Sequence, residues 1–238
     1  MGQPKLEENL KQWNKIDRYS KWMYHTYCQY IGKRVLDIGV GIGNMTQFYI
    51  HDVDLAICAD IFDSQLGLVS ERFSDFPVET LKLDIENDDI CELKTYELDT
   101  VICINVLEHI ENHQKALQNM RDAICDNGKI IILVPALSKL YNEMDKNAGH
   151  YRRYDKGQLE KLGKETDLNI IHQRYFNMLG VIPYRVKGKG TISEGNTFSS
   201  TLNEGSSKMI NYASHILEPI EKIIKIPFGL SEVIVFEK

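Results

Sequence analysis

Three glycines stand at alternate positions, 39, 41 and 43, straight after the apolar run Arg34–Ile38. A turn of this kind lets a ligand come close to the backbone. The nicotinamide fingerprint GxGxxG needs a further glycine at 44 or 46, counted from Gly39 or from Gly41, and the chain has Asn44 and Thr46 there. No Gly-Lys-Ser/Thr follows, which removes a P-loop. Asp37 precedes Gly39 by two residues and completes the pattern D-x-G-x-G-x-G. A carboxylate there is a poor neighbour for a pyrophosphate. It suits an ammonium group, or backbone N–H groups that hold the turn. Asp60 ends the next apolar run, 17 residues after Gly43, and a carboxylate there can accept two ribose hydroxyls. Asp84 ends a third run, where it could meet an adenine amino group. Each acid alone reads equally well as a solvated strand end or a helix cap. Together they describe a nucleoside pocket with an amino-acid tail and no phosphate site, which is S-adenosylmethionine.

Methyl transfer from a sulfonium is an in-line displacement that needs an aligned, shielded nucleophile. It needs a general base only when that nucleophile starts protonated. The best local clue is GHYRRY at 149–154. On the functional reading His150 is the base, Arg152 or Arg153 pairs with an acceptor carboxylate or phosphate, and Tyr151 lies beside them. On the structural reading Arg153 pairs with Asp145 or Asp155, and Tyr151 or Tyr154 packs under a cap. His109, next to Glu108, either takes part in catalysis or shapes its turn. Tyr19 and Trp22, three apart on one helix face, are either a lid over the ligand or core aromatics. Asn177, in the YFN stretch at 175–177, is placed to line the acceptor side. No zinc-like ligand spacing is visible, so no metal is expected.

These residues must be carried by a particular set of elements. Residues 5–31, with Trp13, Ile16, Tyr19, Met23, Tyr27 and Tyr30 at helical spacing, read as one or two helices. Strands are expected at 34–38, 55–59, 78–83, 100–104, 129–134 and 168–174, with helices at 44–50, 62–73, 113–124 and 156–166. Asn127-Gly128 should turn the chain into the fifth strand. This alternation of strand and helix is that of βαβ units. Residues 187–208 read as a mobile loop rich in Gly, Ser, Thr and Asn. A helix over 209–226 should break or kink near Glu218 because of Pro219, and 233–236 is a last strand. The expectation is a three-layer, Rossmann-like α/β fold with a seven-stranded, mostly parallel sheet. It is one domain over 1–238, with an N-terminal helical lid at 1–31 and an inserted cap at 177–229.

The 238 residues are 43% apolar and carry a net charge of -6. No basic stripe is present, which argues against a nucleic-acid partner. Five scattered cysteines without a CxxC fit a reducing compartment. With no apolar leader in residues 1–15 and no run long enough for a membrane span, a cytoplasmic protein is expected.

RYSKWMY (18–24), RVLDIGVGIGNMT (34–46), INVLEHIENH (104–113), LVPALSKLYNEMDKNAGHYRRYD (133–155), YFNMLG (175–180) and the short tail PFGLS (227–231) resemble the class I S-adenosylmethionine-dependent methyltransferases. The likeness covers roughly 15–183 and is nearest a bacterial small-molecule subgroup related to the ubiquinone/menaquinone-type enzymes. It implies that Asp37, Gly39 and Gly41 cradle the methionine portion, and that Asp60 binds the ribose with Ile61 against adenine. It implies further that Asp84 and Ile85 finish the adenine pocket and that Asn105 lies beside the methionine end. Leu107 and His109 would be near the substrate side. The acceptor this resemblance favours is a small molecule, a sugar or secondary metabolite, methylated at oxygen or nitrogen. A tRNA or protein acceptor and a non-catalytic cofactor-binding partner subunit stand as alternatives. A homodimer through the amphipathic stretch 216–226 is also compatible.

Overall fold

The computed structural model describes residues 14–188, 197–224 and 226–238. Trp13, the first part of the expected lid and residues 189–196 of the expected loop lie outside the described residues. Seven strands form one sheet: β1 (Arg34–Ile38), β2 (Leu55–Asp60), β3 (Val78–Lys82), β4 (Leu98–Ile104), β5 (Ile124–Pro135), β6 (Asn169–Phe176) and β7 (Ser231–Glu237). Their order is β3-β2-β1-β4-β5-β7-β6. The first five run parallel, and β7 lies antiparallel between β5 and β6. This is the expected three-layer, mostly parallel fold. Strands β1, β4 and β5 are near-continuous apolar runs because helices cover both of their faces. Edge strand β3 is mostly exposed.

The helices are α1 (Asp17–His25), α2 (Asp63–Arg72), α3 (His113–Ala123), α4 (Glu143–Ala148), α5 (Gln158–Glu165), α6 (Val181–Lys187) and α7 (Glu204–Ile223). One apolar cluster packs α3 and α5 on one face of the sheet, through Leu117, Met120, Leu159 and Leu162. The other joins α1 and α2 to the opposite face through Tyr19, Trp22, Leu66 and Val69.

Several local expectations change. Residues 44–50 form only a 3-10 turn at Thr46–Phe48, because the Thr46 and Tyr49 hydroxyls turn inward to Asp37. Strand β5 starts at Ile124, which pairs with Leu98 before a register shift. Asn127 sits at φ 63° within it, and Lys129 resumes the pairing opposite Thr100. The stretch after β5 contains α4, started by an Asn142–Asp145 capping box and ended by Gly149 at φ 87°.

Two helix boundaries in the last third differ from expectation. Residues 204–208 are not loop but the first turns of α7, capped by Asn203. The helix also runs through Pro219 to Ile223 without a break at Glu218. Glu218 is fixed there by Arg18, His25 and Lys222, and Glu221 accepts the Asn177 and Met178 amides. These inward bonds offset the backbone bond that proline removes. Helix α7 thus buries Ser207, Ser214, Glu218 and Glu221 while exposing Met209, Tyr212, Ile216, Ile220 and Ile223.

Candidate functional site

A cleft of about 290 Å³ opens at the carboxyl ends of β1, β4 and β5. That is the edge where ligands bind in open α/β sheets. One wall is the glycine turn: Gly39, Val40, Gly41, Asn44 and Met45. Gly39 and Gly41 have φ of 66° and 58°, a region that side chains with a Cβ resist. At Gly39 a Cβ would also overlap the Val106 side chain. The turn is tied to β2 by the Gly39 and Val40 amides, which donate to the Ala59 carbonyl at 2.8 and 3.1 Å.

The acids found in the sequence hold this turn from behind. Asp37 is buried and accepts the Tyr49 and Thr46 hydroxyls at 2.6 and 2.8 Å. Burial raises its pKa to about 6, although both hydroxyls pull it down. Asp60 accepts the Gly41 amide at 3.0 Å on one oxygen and the Phe62 amide at 3.1 Å on the other. Its pKa is raised by burial against those bonds. Neither acid lines the cleft. Asp84 closes its own turn with the Glu86 amide and the Asn87 side chain. Ile61 projects from the end of β2 and is 53% exposed. Asn105 lines the cleft at φ 54°, a backbone strain of the kind that functional sites hold.

Other expectations about site residues are corrected by packing. Ile85 and Leu107 are core side chains under α3, so neither lines the cleft. Trp22 is a core aromatic that meets the Phe176 ring edge to face at 4.5 Å, whereas Tyr19 does reach the cleft. Asn177 stands outside it, because its amide group bonds Tyr19 and the Gly180 amide. Tyr151 is exposed, away from the cleft. Arg152 spends its guanidinium on the Ile110 and Glu111 carbonyls at 2.6 and 2.8 Å, leaving no fork for an acceptor.

The wall opposite the glycine turn holds Glu108, His109, Asp145, His150 and Arg153. Asp145 is the centre of this wall. One of its oxygens takes Arg153 Nε at 2.9 Å and His150 Nδ1 at 3.0 Å; the other takes the Asn142 amide at 3.0 Å and the Tyr184 hydroxyl at 3.1 Å. Burial pushes its pKa up, but the bonds from His150 and Arg153 win and hold it below the usual value. Arg153 is therefore a structural partner, its plane 4.3 Å from the Tyr184 ring. An ionised carboxylate only accepts, so His150 Nδ1 carries the proton and Nε2 offers a lone pair when the ring is neutral.

Glu108 is the residue that sequence reading passed over. It is 1% exposed, and among the described residues neither carboxylate oxygen has a hydrogen-bond partner. Burial raises its pKa to about 7, with His150 and Arg153 opposing. His150 Nε2 lies 4.0 Å from Glu108 Oε1, and the His109 and His150 rings meet edge to face at 4.6 Å. His109 is exposed at the residue level, yet desolvation beside this wall and the neighbouring His150 lower its pKa to about 4. The signal for Glu108 was an acid inside the apolar stretch VLEHI. Met144, Tyr184, Phe198, Leu230 and Ser231 also line the cleft, and they come from segments whose convergence no local pattern announces.

A family model described as a methyltransferase domain matches residues 15–173. A search of curated proteins gave no match. Among solved structures the chain is similar to one from a Haloferax volcanii complex between the Trm112 methyltransferase activator and a protein assigned as a methyltransferase (10% identity, 96% and 93% of the two chains, TM-score 0.62). It is also similar to an S-adenosylmethionine-dependent methyltransferase from Archaeoglobus fulgidus (18% identity, 91% and 91%, TM-score 0.57). A third similar structure is the [4+2]-cyclase SpnF (13% identity, 93% and 80%, TM-score 0.57). At these identities the likeness is one of fold.

Proposed function

The chain belongs to the methyltransferase-domain family, and on that premise we propose that it transfers a methyl group from its cofactor S-adenosylmethionine to an oxygen or nitrogen of a small molecule. A sugar or secondary metabolite is the favoured acceptor class. The cofactor supplies an electrophilic methyl on a sulfonium, and the residues present fit it. Gly39 and Gly41 bring bare backbone to the cleft wall. Asp60 keeps lone pairs beyond the two amides it accepts, and Ile61 offers an uncovered apolar face beside it.

The observation that carries this reading is a single open cleft lined by both the glycine turn and His150. A blocked cleft, or His150 turned away from it, would have favoured the alternative of a non-catalytic partner subunit. The His150 ring is held by Asp145, and its Nε2 is the proton acceptor for a protonated acceptor group. His109 and Tyr19 border the same space. Ser20 and Met23 of helix α1, together with Thr197 and Phe198, border the cleft, which supports a lid and cap role for these segments. Among the described residues no helix is long and apolar enough to cross a membrane. The apolar row exposed on α7 supports a homodimer.

The test is incubation with labelled cofactor and a panel of sugars, sugar nucleotides and amine metabolites, with label transfer as readout. H150A should lose turnover and keep cofactor affinity by calorimetry. Preference for a nicotinamide dinucleotide over S-adenosylmethionine would sink the reading.

A further inference from the structure

We propose that Glu108, His109 and His150 bind one divalent first-row metal ion of the zinc or manganese class at the floor of the cleft, with its open positions facing an oxygen of the methyl acceptor. One ligand atom from each residue lies within 4.8 Å of the others. Metal–ligand bonds of about 2.1 Å place tetrahedral ligand atoms roughly 3.4 Å apart, so small side-chain rotations close the set. His109, open on one side, has room to make them.

Two independent features point to a cation. The first is the Glu108 carboxyl group, buried with no hydrogen bond to either oxygen among the described residues. A buried carboxyl group stays ionised only when it is paired or metal-bound, because desolvation otherwise favours its neutral form. The guanidinium nearby is already committed, since Arg153 bonds Asp145 and the Ala136 carbonyl. The second is the outer support of the imidazoles. His150 Nδ1 donates to Asp145, and His109 Nδ1 lies against Gly149. Metal-ligating histidines are oriented in this way, by a carboxylate or carbonyl on the far nitrogen. Two imidazoles and one carboxylate suit zinc, manganese or iron(II), and three protein ligands leave the ion open to substrate. His109 and His150 are 41 residues apart, so no short spacing reveals the set.

The acceptor role rests on the methyl-transfer reading of the cleft; the metal site itself does not. At His150 Nε2 the roles of base and ligand exclude each other. With the ion bound, the cation holds the acceptor oxygen and favours its ionised form, and the released proton goes to solvent at the cleft mouth.

The full chain, stripped with EDTA, is titrated with Co²⁺ followed by visible absorption, and with Zn²⁺ by calorimetry. We expect one ion per chain and ligand-field bands. E108Q, H109A and H150A should each weaken binding at least tenfold, and H51A, at an exposed histidine, should not. Circular dichroism checks each fold, and H109A, at an open surface, keeps the test available if a buried variant unfolds. Absence of stoichiometric binding, or binding indifferent to all three substitutions, overturns the site. Turnover unchanged in EDTA overturns the acceptor role. Cofactor affinity is measured separately in EDTA, where it should persist. Cobalt binding without cofactor binding would sink the methyltransferase reading and leave the metal site standing.

Discussion

Removing the Asp145 carboxylate tests whether the wall opposite the glycine turn is held by one buried ion pair. The carboxylate is fully enclosed and accepts from four donors, and the Arg153 side chain is 3% exposed. In Asp145→Ala the guanidinium keeps the Ala136 carbonyl but loses its carboxylate partner and is left as a buried charge. Breaking such a pair from one side costs about 3–5 kcal/mol. For a chain of this size that is roughly 6–20 °C in melting temperature, at about 2–4 °C per kcal/mol. Urea unfolding at 25 °C supplies the free energy, and a thermal scan supplies the melting temperature. The mechanism predicts a second result. Asp145→Ala combined with Arg153→Met leaves no orphaned cation, so the double variant should recover about 2 kcal/mol relative to the single one. A loss under about 1 kcal/mol in the single variant, or additive losses in the double, would refute the buried-pair reasoning.

Gly39→Ala forces a Cβ into the left-handed region and onto Val106. The backbone alone costs about 1–2 kcal/mol, so we expect a lower melting temperature together with weakened cofactor binding by calorimetry. Glu218 is buried, which raises its pKa, but bonds from Lys222, His25 and Arg18 outweigh this and lower it to about 2. Its folded pKa lies below the unfolded one, so its stabilisation is present above about pH 4.5 and disappears as pH falls towards 2. E218Q should therefore be less stable than wild type at pH 7, and the gap should close across that window in pH-dependent urea titrations. Ile216 and Ile220 are exposed, so I216E/I220E should shift stability by no more than about 1 kcal/mol. If α7 forms a dimer face, the same variant should convert dimer to monomer in sedimentation; an unchanged sedimentation coefficient would remove that face from consideration.

What the chain carries locally was legible without tertiary structure. Alternating apolar runs and glycine-bounded turns announce parallel strands, because side-chain period and turn chemistry are short-range. The spacing of Gly39, Gly41 and Gly43 excluded a dinucleotide, and Asp37, Asp60 and Asp84 sit at strand ends as expected. What those acids touch was not legible: the Tyr49 and Thr46 hydroxyls bond Asp37, and the Gly41 and Phe62 amides bond Asp60. The same holds for Arg152, Arg153 and Asn177, whose charged or amide groups bond carbonyls, a carboxylate, a hydroxyl and an amide. Helices α4 and α6 escaped notice because they are short and take their stability from packing. The wall formed by Glu108, His109, Asp145 and His150 was decided by tertiary structure alone. Two segments about 40 residues apart meet only once β4 and β5 lie side by side. Whether a buried carboxylate finds a partner depends on that meeting, and no sequence period records it.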